Sequence, residues 1–128
     1  MRISRHYFID ATFHHPPEYS QLLLIMYIDK ITNLTITSLY ILMNGKNEDL
    51  YDNVFNSVIN IITQNRSYEL EINTIVTDAE TALINSIKKF FSNTKRISCL
   101  FHYKQAIIRN IRHMVHLINL IKMISKKY

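Results

Sequence analysis

The sequence predicts one α/β domain, a five-stranded mixed sheet with helices packed on it, in the order β-β-β-α-β-α-β-α. Three observations predict this. Strand-length apolar runs joined by turn residues fill the chain as far as Met43. Apolar side chains then recur at helical spacing after Asn47. From Ile72 onward strand and helix signals alternate, which requires a partly parallel sheet. A chain of 128 residues is one domain of ordinary size with room for a sizeable core.

His6 to Phe13, rich in aromatic and β-branched residues, reads as the first strand and is closed by Pro16-Pro17. Gln21 to Ile28 is a continuous apolar run, the pattern of a strand covered on both faces. Asp29-Lys30 supplies a tight turn, and Leu34 to Met43 is a third strand that turns back beside the second. Asn47 is a natural helix N-cap, with Glu48 and Asp49 in the first turn. Leu50, Tyr51, Val54, Phe55, Val58, Ile59 and Ile62 mark the buried side of that helix. A polar connection over residues 65–71 leads to a fourth strand, Ile72 to Thr77. Asp78 or Thr77 caps the next helix, which carries Ala82, Leu83, Ile87, Phe90 and Phe91 on one face and Lys88-Lys89 near its carboxyl end. Arg96 to Phe101 reads as a short fifth strand, giving a core over about residues 6–101. A basic amphipathic helix over about 102–124 ends the chain.

Nearly half the residues are hydrophobic, which excludes wholesale disorder. The lone Cys99 excludes an internal disulfide and fits a reducing compartment. No signal-peptide core interrupts the polar start, and the longest uncharged apolar run, Leu22 to Ile28, is far below the roughly 20 residues of a membrane span. The expectation is an intracellular protein with no membrane contact, nuclear if its host is eukaryotic. Charge is polarised along the chain. Residues 1–80 carry all ten acids against five Lys/Arg, whereas residues 81–128 carry ten Lys/Arg and no acid, so a balance of −5 meets one of +10 to give the net +5. Such a chain suggests a polyanionic partner, DNA above all, against the alternative of a plain solvated basic face. Nothing in the sequence suggests a small-molecule substrate.

Two acids stand out. Asp78 closes the apolar run Ile75-Val76-Thr77 at the carboxyl end of a strand, where α/β folds place their ligands. Asp10 sits in Phe8-Ile9-Asp10-Ala11-Thr12-Phe13, where an acid is costly unless it is paired or metal-bound. If the first and fourth strands are neighbours at the sheet centre, the two acids approach each other, and a divalent cation would relieve their repulsion. Mg²⁺ or Mn²⁺ suits such an all-oxygen site. The competing reading of Asp78 is a helix N-cap, and Glu80 reads as a first-turn acid or a further ligand.

The motifs Asp10-Ala11-Thr12-Phe13, Pro17, Gln21-Leu22, Tyr40, Leu42-Met43, Lys46, Tyr51, Phe55, Asp78-Ala79-Glu80-Thr81-Ala82, Cys99-Leu100-Phe101-His102-Tyr103 and Gln105-Ala106 occur in this order. In that order and spacing, from about Tyr7 to Ile111, the chain resembles the catalytic domain of Mutator-like element (MULE) transposases, of the ribonuclease H-like superfamily. The family usually has Asp-Gly-Thr-Phe at the first acid and Asp-Phe-Glu-x-Ala at the second, so Ala11 and Ala79 depart from it beside intact acids. The resemblance implies a DDE-type transposase domain that uses Mg²⁺ or Mn²⁺ to cut DNA and join it to a target. Asp10 and Asp78 would be its first two catalytic, metal-binding acids, with Cys99 and His102 as its Cys-x-x-His signature.

The family's third acid is a Glu well beyond that signature, and no Asp or Glu follows Glu80 here. The expectation is therefore a domain truncated before the third acid, without the family's N-terminal zinc finger and inactive alone. The alternative is a non-catalytic DNA- or protein-binding remnant that uses its last helix. A compact nuclease would draw on Glu48, Asp49 and Asp52, which look like first-turn and surface positions instead. In the last helix His102, Gln105, Arg109, Arg112, His116, Asn119, Lys122 and Lys126 step by three or four. Arg109, Arg112, His116 and Lys122 are the candidate phosphate contacts. Its apolar side, Ile107, Ile108, Ile111, Met114, Val115, Ile118 and Ile121, offers a route to a homo-oligomer. Cys99, His102, His113 and His116 could be read as a zinc set, but His102 and His113 would stand about 16 Å apart on an unbroken helix. The plain alternatives are a buried thiol at a strand end and a histidine bonded locally.

Overall fold

The computed structural model describes residues 6–12, 18–64 and 72–125. The elements are β1 (His6–Thr12), β2 (Gln21–Ile28), β3 (Thr35–Met43), α1 (Glu48–Gln64), β4 (Thr74–Thr77), α2 (Thr81–Phe90), β5 (Lys95–Ser98) and α3 (Leu100–Ser125). Phe13, Pro16-Pro17 and the connection over 65–71 lie outside the described residues.

The strands form one sheet in the order β3-β2-β1-β4-β5. β1–β2 and β2–β3 pair antiparallel, while β4 and β5, each reached through a helix, run parallel to β1 and to β4. The neighbouring of β1 and β4 that the element order predicts is present. The element order and the five-stranded mixed sheet are those the sequence predicts.

Period-two alternation decides which face is buried. Ile9, Leu23, Ile25, Met43 and Ile75 meet Tyr51 and Phe55 of α1 and Leu83 and Ile87 of α2 in one core. The start of α1 is fixed as the sequence suggests, with the Leu50 N–H donating to Asn47 Oδ1 at 2.9 Å. Helices α1 and α2 are also clasped by polar contacts. Asp52 accepts from the Lys89 ammonium and, at 2.5 Å, from the Ser86 hydroxyl, while Glu48 accepts from Asn85 Nδ2 at 3.0 Å. Lys89 and Ser86 together hold the Asp52 carboxyl below its usual range. The clasp is therefore complete above the ordinary carboxylate pKa of about 4 and is lost as pH falls through the lower folded value.

Four expectations are corrected. The β2 run is not covered on both faces. Gln21, Leu23 and Ile25 are buried, but Leu22 and Leu24 on the other face are half-exposed, as are their neighbours Leu42 and Tyr40 or more so. The β2–β3 connection is wider than Asp29-Lys30. It runs to Leu34, whose carbonyl accepts from the Asp29 N–H, and Asn33 takes the left-handed conformation that Asn tolerates. Leu100 and Phe101 do not extend β5. They begin α3, because the Cys99 N–H donates to Thr77 O at 2.7 Å and the Cys99 carbonyl receives the Tyr103 N–H at 3.0 Å. Finally, α2 starts after Glu80, not after Thr77 or Asp78, and Glu80 makes no side-chain capping bond.

Every residue of α3 from Ile107 to Met123 is exposed, including the apolar side the periodicity marked out. Its side chains contribute little to the core, so Ile111→Asn and Ile118→Asn should each change unfolding free energy by no more than about 0.5 kcal/mol, as surface substitutions do. Urea titration of the two variants checks this. A loss of several kcal/mol would mean that α3 packs onto the domain. Among the described residues no helix is long and apolar enough to cross a membrane.

Candidate active site

The parallel pairing of β1 and β4 runs from His6↔Thr74 to Ile9↔Thr77. Asp10 and Asp78 are the next residues along the two strands, so the backbone sets the two acids side by side at the centre of the sheet. Ile9 points into the core, which turns Asp10 to the opposite face, between its antiparallel partner Leu24 and the end of β4. Asp78 lies just past the strand. Its Oδ1 accepts from the Glu80 N–H at 3.2 Å, a local turn that bridges β4 to α2. The N-cap reading of Asp78 thus gives way to a turn acceptor two residues before the N-cap residue Glu80.

The Asp10 side chain as a whole is 41% exposed, but its Oδ1 is turned inward and has no hydrogen-bond partner. The group facing it is His102 Nε2, at 3.6 Å, too far for a hydrogen bond but close enough for an ion pair if the ring is protonated. His102 Nδ1 is likewise buried and unpartnered. The histidine is therefore not bonded locally. It is presented to Asp10 from the first turn of α3, whose start is tied by Cys99 to the last residue of β4. This gives the Cys-x-x-His spacing a structural meaning: Cys99 anchors the helix start by its backbone, and His102 one turn later faces the first acid. The Cys99 thiol is free and half-exposed, not buried.

The zinc set is not assembled. Helix α3 is continuous from Leu100, so His113 and His116 lie about three and four turns away from His102 along its axis. Among the described residues, no group of three or more His, Cys, Asp and Glu side chains could hold a metal ion. Glu48 and Asp52 are engaged with α2 and do not join Asp10. The basic series of α3 is also less coherent than its spacing suggests. At about 100° per residue, Arg109, Arg112 and His116 stay within about 60° of one another, while Lys122 is turned about 140° from Arg109. Lys126 lies outside the described residues.

One group of functional interest was not legible as such. Gln21 and Tyr51, both fully buried, meet at the core side of the acid-bearing loop. Gln21 Nε2 donates to Tyr51 Oη at 3.0 Å, and the Tyr51 hydroxyl donates to Glu80 Oε2 at 2.9 Å. Burial raises the Tyr51 pKa well above its ordinary value, with Glu80 and Asp78 adding to the effect, so the hydroxyl stays a donor. The signals available in the sequence were an amide opening an apolar strand and a Tyr in the first turn of a helix. Neither names its partner.

The MULE transposase domain family matches residues 6–106. The chain belongs to that family. The match spans every strand, both acids and the Cys-x-x-His segment of this MULE domain. Among solved structures it is similar to the HTLV-2 integrase catalytic core domain in complex with magnesium, in a dimeric form. The identity is 16%, the similarity covers 91% of this chain and 76% of that one, and the TM-score is 0.46. No curated protein sequence matches the chain.

Proposed function

We propose that this MULE domain binds one divalent cation, Mg²⁺ or Mn²⁺, through Asp10 and Asp78, and that two acids do not suffice for DNA cleavage and strand transfer by this chain alone. The observation that carries the reading is the buried, unpartnered Oδ1 of Asp10 beside the end of β4. A buried carboxylate oxygen without a donor is unfavourable, and a cation shared with a second carboxylate removes the cost. All-oxygen donors of this kind fit a hard divalent ion. When bound, such an ion supplies Lewis acidity toward a phosphodiester or water.

The chain's own residues do the rest. Asp10 is held rigidly, being inside a paired strand, and Asp78 is held by the Glu80 amide. His102 Nε2 stands 3.6 Å from Asp10 Oδ1 and, when protonated, competes with the cation for it. Residues 81–128 hold no Asp or Glu, so the site proposed here has two acids. Incubation with Mn²⁺ and terminal-repeat DNA should give no strand transfer. Robust transfer abolished by Asp10→Ala would overturn the claim of inactivity.

A second reading is supported by α3, which is exposed, carries Lys104, Arg109, Arg112 and Lys122, and has no acid. Arg109, Arg112 and His116 share one side and would bind DNA phosphates without sequence preference. If Arg109 and Arg112 each neutralise a phosphate, affinity should fall about tenfold between roughly 50 and 200 mM salt, and Arg109→Ala with Arg112→Ala should flatten that slope. Filter binding reads both. A salt-independent affinity would exclude phosphate contacts.

A further inference from the structure

The connection between β4 and α2, Asp78-Ala79-Glu80, is held from below. Gln21 and Tyr51 come from different elements, β2 and the first turn of α1, and each is fully buried. A buried tyrosine hydroxyl needs partners, and this one has two. It receives Gln21 Nε2 at 3.0 Å and gives its proton to Glu80 Oε2 at 2.9 Å. The orientation of the Gln21 amide is fixed independently, since the same nitrogen donates to the Gly45 carbonyl at 3.1 Å, where an oxygen would be repelled. Glu80 occupies the N-cap position of α2, yet its side chain makes no capping bond. Its carboxylate is given to Tyr51, and its backbone N–H is given to Asp78 Oδ1 at 3.2 Å.

We propose that Tyr51 is a positioning residue for Asp78. Its hydroxyl, set by Gln21, fixes the Glu80 carboxylate, and through the Glu80 backbone amide it fixes the orientation of the Asp78 carboxylate at the end of β4. Three observations support this role beyond simple core packing. The chain of donors is directional from Gln21 to Asp78. The Glu80 side chain is diverted from helix capping to take part in it. Asp78 and Glu80 are also the two acids whose charge acts on the Tyr51 hydroxyl. As it concerns metal affinity, the inference rests on the two-acid reading above. As it concerns the loop, it does not.

The test uses the full chain and two readouts, Mn²⁺ binding followed by electron paramagnetic resonance and hydrogen exchange at the Glu80 amide. Tyr51→Phe keeps the ring and removes the hydroxyl. It should weaken Mn²⁺ binding about fivefold or more and speed exchange of the Glu80 amide by a similar factor, beyond any change at the core amide of Ile87. Glu80→Gln keeps an acceptor for Tyr51, so exchange of the residue-80 amide should stay within about twofold of wild type, whereas in Glu80→Ala it should speed up as in Tyr51→Phe. If Tyr51→Phe binds Mn²⁺ as tightly as wild type and exchanges at Glu80 no faster, Tyr51 is a packing residue only and the proposal is wrong. If wild type binds no Mn²⁺, the two-acid reading fails. Exchange at Glu80 then decides the proposal by itself: accelerated, it stands as an anchor of the loop; unchanged, it falls.

Discussion

Replacing Phe55 by alanine is expected to cost about 3–5 kcal/mol of unfolding free energy, the range for truncating a buried phenylalanine. Phe55 is 1% exposed at the junction of α1 and α2. Its ring lies 5.3 Å from that of Phe91, edge to face, and 6.1 Å from that of Phe90. The three rings close the carboxyl end of α2 onto α1, so the cavity left by alanine has rigid walls and cannot collapse easily. Domains of this size have total stabilities of about 5–15 kcal/mol, and the loss is a large share of that. Urea denaturation at constant slope measures it. A cost below about 1 kcal/mol would mean that the α1–α2 junction is looser than its ring geometry indicates.

Replacing Asp10 by leucine should act in the opposite direction on stability while removing the proposed function. In metal-free buffer the variant should be more stable than wild type by up to about 1 kcal/mol, because one unpartnered oxygen of a part-exposed carboxylate is exchanged for an apolar group on an apolar strand. Its neighbours, Leu24 across β2 and Phe8 along β1, supply apolar contacts on the same face. Thermal melts with a chelator, then with Mn²⁺, separate the two effects. Wild type should gain stability on adding Mn²⁺, and the variant should not. If Asp10→Leu is markedly destabilised without metal, Asp10 is a structural ion-pair partner of His102 and not a site held open for a cation.

These expectations depend on features of differing legibility in the sequence. The first four strands, the Asn47 cap and the pairing of β1 with β4 could be read because each is fixed by local pattern or by element order. Asp10 and Asp78 were legible for the same reason, as one residue past the last paired positions Ile9 and Thr77. The β5–α3 boundary was not. Leu100 and Phe101 are as apolar as a strand, and what starts the helix there is the bond from Cys99 to Thr77 O, a contact with no local sign. Glu80 was misread in a similar way. Its carboxylate answers to Tyr51, and spacing on α2 alone says nothing of α1. The second face of β2 was read as covered because its residues are apolar. In the fold, the apolar side of α3 stays exposed, and Leu22 and Leu24 remain half-exposed.

The most direct measurement of the central claim is a Mn²⁺ titration of the wild-type chain beside Asp10→Ala and Asp78→Ala, followed by isothermal calorimetry. Two acids sharing one ion predict a single binding event in wild type that both substitutions abolish. Binding that survives either substitution, or no binding in wild type, would contradict it.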